Sequence, residues 1–156
     1  MDEPELLPLH LALSGRRVLV VGGGAVAARK VMTCLRSGAD VVVVAPSVGQ
    51  QLAGLAAAGR IRWRRRPFRR GDLRSAWLVY TATGVPDVDA RVGRGAERRR
   101  LLCIRADDGR AGTARSAAVL RHQGLLIGIS SADRPDPARL VRVRDALARE
   151  LDGVRT

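Results

Sequence analysis

Three consecutive glycines, Gly22-Gly23-Gly24, separate an unbroken apolar segment from a stretch with helical spacing. Residues 17–21, Arg-Val-Leu-Val-Val, form a short continuous run of the kind found in strands buried on both faces. Residues 25–36 carry a helical pattern that stops at Ser37-Gly38, a good C-terminal signal. Between strand and helix, Gly22 to Ala27 has the form G-x-G-x-x-A. There Gly22 permits the tight turn, Gly24 lets the backbone come close to a diphosphate, and Ala27 keeps the helix near the sheet. The phosphates would rest on free N–H groups at the helix N-terminus, where the dipole favours negative charge. A glycine-rich turn with no ligand is the competing reading, and the strand before and helix after argue against it.

The rest of the chain repeats the alternation. Residues 41–45 predict a second strand closed by Pro46, residues 48–58 a helix, and residues 60–63 a third strand, with Arg64-Arg65-Arg66-Pro67 as a loop. A fourth strand is expected over 77–82, a helix opening at Pro86 and running to about Arg99, a fifth strand over 101–105 and a sixth over 125–130. Asp136-Pro137 starts a last helix whose Leu140, Val143, Leu147 and Leu151 form one apolar stripe. The expected fold is α/β, a Rossmann-type doubly wound parallel sheet.

Composition narrows the functions available. With 156 residues and 46% apolar content the chain can bury a real core. No segment is long and apolar enough for a membrane helix, and the acidic start, Met1 to Glu5, is unlike a signal or transit sequence, so a cytoplasmic address is expected. The charge of +13 is almost all arginine, Lys30 being the only lysine. Solvated surface arginines, nucleic-acid binding and a small polyanionic ligand all fit that charge. Two tryptophans, one tyrosine and one phenylalanine make no stacking platform for single strands, which places nucleic acid last. Cys34 and Cys103 lie in apolar runs, and His10 and His122 lack metal-pair spacing, so no metal site is expected.

In an open α/β sheet the ligand lies at the carboxyl ends of the strands. That rule selects Gly22 to Gly24, Ser47, Thr81-Ala82-Thr83 and Asp107-Asp108. The second strand ends in Ala45-Pro46-Ser47, without the acidic residue that selects an unphosphorylated ribose. The residues themselves therefore leave NAD and NADP open, with Ser47 the nearest polar group for a ribose. One carboxylate of Asp107-Asp108 should face a cofactor crevice and accept a proton as a hydride leaves; alternatively, both cap the next turn.

Leu11 to Lys30, with Gly15-Arg16, Val20 to Gly24, Val26-Ala27 and Arg29-Lys30, resembles the N-terminal module of siroheme synthases, the precorrin-2 dehydrogenase family, in a version that looks actinobacterial. The match continues at Val44-Ala45-Pro46, Thr81-Ala82-Thr83, Asp87 to Arg91, Cys103 to Asp107 and Ile129-Ser130-Ser131. The resemblance implies NAD-dependent oxidation of precorrin-2 to sirohydrochlorin, in some members followed by ferrous iron insertion. It implies a homodimer, with a nucleotide domain over 1–113 and a dimerisation segment over 114–156. Its key aspartate falls on Asp107, and its cofactor contacts on Gly22, Gly23, Gly24, Ala25, Val26, Thr81 and Ala82, and near Pro46. The substrate's carboxylates would suit Arg105, Arg110, Arg115, Arg134 and Arg139. This chain departs from the family pattern at Ile104-Arg105 and Asp89, where asparagine is usual nearby. It also stops near Thr156, which favours dehydrogenation over iron chelation as the expectation. A non-catalytic NAD-binding regulatory domain is the alternative from another class, sharing the glycine loop but needing no proton acceptor.

Overall fold

Five short strands, β1 (Arg17–Val21), β2 (Asp40–Ala45), β3 (Arg62–Arg65), β4 (Leu78–Thr81) and β5 (Leu102–Arg105), pair in parallel in the order β3-β2-β1-β4-β5. The computed structural model describes residues 6–132 and 136–153; Met1 to Glu5 and Arg134 lie outside the described residues. The chain forms two compact units, Ala12–Ala114 and the described parts of Met1–Leu11 with Arg115–Thr156.

In the first unit β1 is central, with Val18 beside Val41 on one side and Leu78 on the other. Both faces of the sheet are covered, which is why its inner strands are apolar without alternation. On one face Leu19, Val21, Val42, Val44 and Val79 pack with Leu73, Val92 and Ala96. Helix α1 (Ala25–Arg36) packs on β1, β2 and β4 and buries Ala27, Ala28, Val31 and Cys34. The Lys30 ammonium stands 5.7 Å from the centre of the Tyr80 ring on β4. Helices α2 (Gln50–Ala57) and α3 (Pro86–Glu97) complete this unit's regular helices.

Between β3 and β4 the chain makes a short 3-10 turn, Arg70–Ser75, that the sequence did not signal. Its anchor is Asp72, only 4% exposed. The carboxylate accepts from Arg64 at 2.6 Å, from Arg66 at 2.6 and 2.9 Å, and from the Arg69 N–H at 2.8 Å. Burial pushes the Asp72 carboxyl up, but Arg66, the Arg69 N–H and Arg64 together bring it down to about 2. A folded-state value below the unfolded one, near 3.9, contributes stability that is complete above that unfolded value and is lost as pH falls through about 2. Asp72→Asn should therefore lower the unfolding free energy by about 2 kcal/mol at neutral pH and flatten the acid limb of the stability curve. Urea titrations between pH 2 and 7 read both; a loss below about 0.5 kcal/mol would reduce the network to an ordinary surface pair.

Two expectations are corrected. The third strand sits two residues later, at Arg62–Arg65, and takes in Arg64 and Arg65, which were expected in the loop. It is an edge strand, held by its ladder to β2 and by Trp63 Nε1 donating to the Ala45 carbonyl at 3.0 Å, so it needs no apolar run. The expected sixth strand does not join the parallel sheet. As β7 (Leu125–Ile129) it pairs antiparallel with β6 (Ala118–His122), an element that went unforeseen. The connection is a two-residue turn with φ of 45° at Gln123 and 82° at Gly124, as a tight hairpin requires. In this second unit α4 (Pro137–Gly153) packs on β6. It starts as expected, with Asp136 Oδ1 accepting from the Arg139 N–H at 2.9 Å and proline in the first position.

Candidate functional site

The carboxyl ends of β1 and β2 open into a cleft of about 550 Å³. Its lining includes Gly22, Gly23, Gly24, Pro46 and Ser47, with Pro67, Phe68, Thr83, Val85, Val88 and Arg91 on other sides. The three glycines differ in what they do. Gly22 has φ +128°, and a Cβ there would lie 2.1 Å from the Ala82 carbonyl oxygen. A Cβ on Gly23 would lie 2.1 Å from the Ser47 carbonyl oxygen. Both are close approaches of backbone to backbone, fixed by Gly22 N–H donating to the Val44 carbonyl and Gly49 N–H to the Gly23 carbonyl. Gly24 is the N-cap of α1, and a Cβ there would meet nothing within 4 Å.

The start of α1 is electrostatically bare. Gly24 supplies no side-chain cap, and the first turn has no acidic residue. The first amides of a helix have no intrahelical acceptor and carry the positive end of its dipole. Gly24, Ala25 and Val26 are exposed there. Arg91 is the one charged side chain among the described residues lining the cleft. A diphosphate fits this donor set: free amides, one guanidinium, no carboxylate.

Not every expected residue lines the cleft. Thr81 is fully buried in β4, and its hydroxyl has no hydrogen-bond partner. Ala82 does not line the cleft either, but its carbonyl supports Gly22 from below and its N–H donates to the Val21 carbonyl at 2.8 Å. Arg91 enters the sequence reading only as the end of a matching stretch and not as a site residue, although its three-residue spacing from Val88 on α3 puts both on one helix face. Asp89, also on α3, is fully buried, and its Oδ1 accepts from the Thr83 N–H at 3.2 Å and the Thr83 hydroxyl at 2.9 Å. It thereby fixes the turn that puts Thr83 and Val85 on the cleft.

Asp107 and Asp108 follow β5, on the same carboxyl edge of the sheet. They have separate tasks. Asp108 Oδ1 accepts from the Arg110 N–H at 2.9 Å and caps the turn. Asp107 turns to Arg105, with Nε to Oδ1 at 3.0 Å and Nη2 to Oδ2 at 2.5 Å. The Arg105 guanidinium holds the Asp107 carboxyl below the ordinary carboxylate range, against the opposing effect of burial. Neither aspartate lines the cleft. Among the described residues no group of three or more His, Cys, Asp or Glu could hold a metal ion.

The model of the family described as putative NAD(P)-binding matches residues 9–118, the segment that contains the sheet and the glycine loop. The chain belongs to this family. Within the NAD(P)-binding family it is similar to siroheme synthase 3 of Aeromonas hydrophila, 37% identical over 88% of this chain and 30% of that protein. The siroheme synthase of Xylella fastidiosa is 40% identical over 91% of this chain and 30% of its own length. The chain thus spans about 30% of the siroheme synthases it matches. Precorrin-2 dehydrogenase of Bacillus subtilis is 25% identical over 95% of this chain and 90% of its own length. Among solved structures, SirC, precorrin-2 dehydrogenase, matches with a TM-score of 0.80 and 28% identity, over 93% of this chain and 71% of that one.

Proposed function

We propose that this chain is an NAD-dependent dehydrogenase that oxidises precorrin-2 to sirohydrochlorin in siroheme biosynthesis. The observation that carries the reading is the uncapped start of α1 under a cleft without acids, in a chain that matches a precorrin-2 dehydrogenase over 90% of that protein's length. Gly22, Gly23 and Gly24 with the first amides of α1, at Ala25 and Val26, hold the diphosphate. Pro46 and Ser47 at the end of β2 flank a ribose, and Thr81 and Ala82 shape the β4 side from beneath Gly22. When bound, NAD supplies the acceptor for the hydride that leaves the macrocycle. The accompanying proton goes to Asp107, kept ionised at the end of β5. Arg91 adds positive charge at the cleft for an anionic ligand.

The test supplies the purified chain with precorrin-2 formed in place and NAD, and follows reduced nicotinamide. Appearance of sirohydrochlorin in step with reduced nicotinamide supports the reading. Nucleotide binding without oxidation of any tetrapyrrole would replace it with a regulatory nucleotide sensor.

The working form in this reading is a homodimer in the cytoplasm. Helix α4 buries none of its residues, and Val119, Leu125, Leu126, Val141, Val143 and Leu147 of the second unit are exposed. So much uncovered apolar surface suits a second copy. Sedimentation should give a mass near twice 16.7 kDa, and a monomer at micromolar concentration would exclude the dimer. Cys34 and Cys103 are buried free thiols, as suits a reducing compartment, and among the described residues no helix is long and apolar enough to cross a membrane.

A further inference from the structure

The end of β5 contains a built arrangement that the reaction scheme has not used. Arg105 is the last residue of β5, and the chain bends at Ala106 and Asp107, which brings the Asp107 carboxylate back onto the Arg105 side chain. Both carboxylate oxygens meet the guanidinium fork, at 3.0 and 2.5 Å, and the two side chains are only 13% and 21% exposed. A two-point contact fixes direction as well as charge. The stem of Arg105 needs room to reach this position, and α3 provides it at Gly93. A Cβ on Gly93 would stand 3.2 Å from Arg105 Cδ and 3.9 Å from its Cγ.

We propose that Arg105 is the positioning residue for Asp107, aiming its carboxylate through a two-point contact, with Gly93 as the space that admits the arginine stem. The inference rests on the reading that Asp107 receives the proton. Other groups face the pair. Asp89 of α3 and Asp108 act on Arg105, Cys103 of β5 lies near Asp107, and the N–H groups of Asp107 and Asp108 donate to the carboxylate. The guanidinium is the one cation of this set, so its removal leaves Asp107 with two N–H donors and the neighbouring acids. The carboxyl then rises toward its ordinary value.

The sign of the pH effect follows. Asp107 accepts a proton only while ionised, so turnover falls on the acid side as pH drops through its folded-state value, which lies below the ordinary carboxylate range. Arg105→Met keeps the apolar stem and removes the fork. In the full chain this variant should move the acid limb of kcat to higher pH, with the same shift in the Asp107 carboxyl titration read by carbon NMR. Lost aim should lower kcat about tenfold at neutral pH while nucleotide affinity stays as in the unaltered chain. Arg105→Lys separates charge from aim: the titration should stay low while kcat still falls.

An unshifted Asp107 titration in Arg105→Met, or full kcat in both variants, overturns the role. If Arg105→Met fails to fold, Arg105→Lys decides, because full kcat there removes the need for a fork. Absence of precorrin-2 oxidation by the unaltered chain would overturn the underlying reading and this role with it. Turnover with an unshifted titration would overturn the role alone.

Discussion

Gly24→Val should yield a folded protein that no longer binds nucleotide, with affinity reduced at least about 100-fold. Free amides at a helix start hold a phosphate only if the backbone can be approached, and a valine side chain would stand in that approach. The fold should survive for two reasons. Gly24 has φ −84° and ψ −172°, an extended conformation that valine adopts freely, and a Cβ there meets nothing within 4 Å. The loss of stability should be within about 1 kcal/mol, the difference between glycine and a poor N-cap residue. Gly22→Ala is the contrasting case. Its φ is +128° and its Cβ would lie 2.1 Å from the Ala82 carbonyl oxygen, so unfolding free energy should fall by about 3 kcal/mol. Calorimetric titration with NAD beside thermal melts of both variants reads the difference. Unchanged affinity in Gly24→Val would mean that no phosphate sits on α1.

Asp107→Asn should remove most turnover, by about 100-fold or more, while binding nucleotide as before. Asparagine keeps the shape but cannot take a proton, and with the side chain 21% exposed the change leaves the core intact. Asp108→Asn should behave nearly as the unaltered chain, because the amide oxygen can still accept from the Arg110 N–H and cap the turn. Initial rates with precorrin-2 and NAD compare the two, and equal rates would remove Asp107 from the chemistry.

How much of this was visible beforehand depends on where the determining contact lies. The glycine loop and α1 are local: strand, turn and helix stop each have a signal within about five residues, and β1 and α1 begin and end where expected. The end of β2 was also plain, because Pro46 closes a run of valines. β3 was misplaced because Arg-Trp-Arg-Arg is a strand only through its neighbour β2 and the pairing of Arg64 with Asp72. Asp72 itself looks like any surface aspartate until three donors converge on it.

The hairpin was missed for a related reason. Leu125–Ile129 is as apolar as a buried strand, yet Leu125 is 57% and Leu126 45% exposed, and periodicity says nothing about what covers a face. At the site, the strand-end rule selected Gly22 to Gly24, Ser47 and Thr83, which line the cleft, and the family resemblance pointed near Pro46, which lines it too. The rule could not show that Thr81 is fully buried away from the cleft lining or that Arg91 reaches the cleft from α3. The Arg105–Asp107 pair was not legible from strand spacing either, because β5 ends at Arg105 and the pair is closed by the bend at Ala106 and Asp107.

The outermost strand has one more consequence. β3 ends the sheet at its β2 side, and a final strand offers its main-chain polar groups to any passing chain. Here that border carries Arg62, Arg64 and Arg65, the last stacked 4.3 Å from the Trp63 ring. Two molecules meeting border to border would bring like charges together before their backbones could zip. Fibre growth from this side is therefore suppressed even in a crowded, concentrated solution, and the same run of arginines that obscured the strand from view keeps the molecules apart.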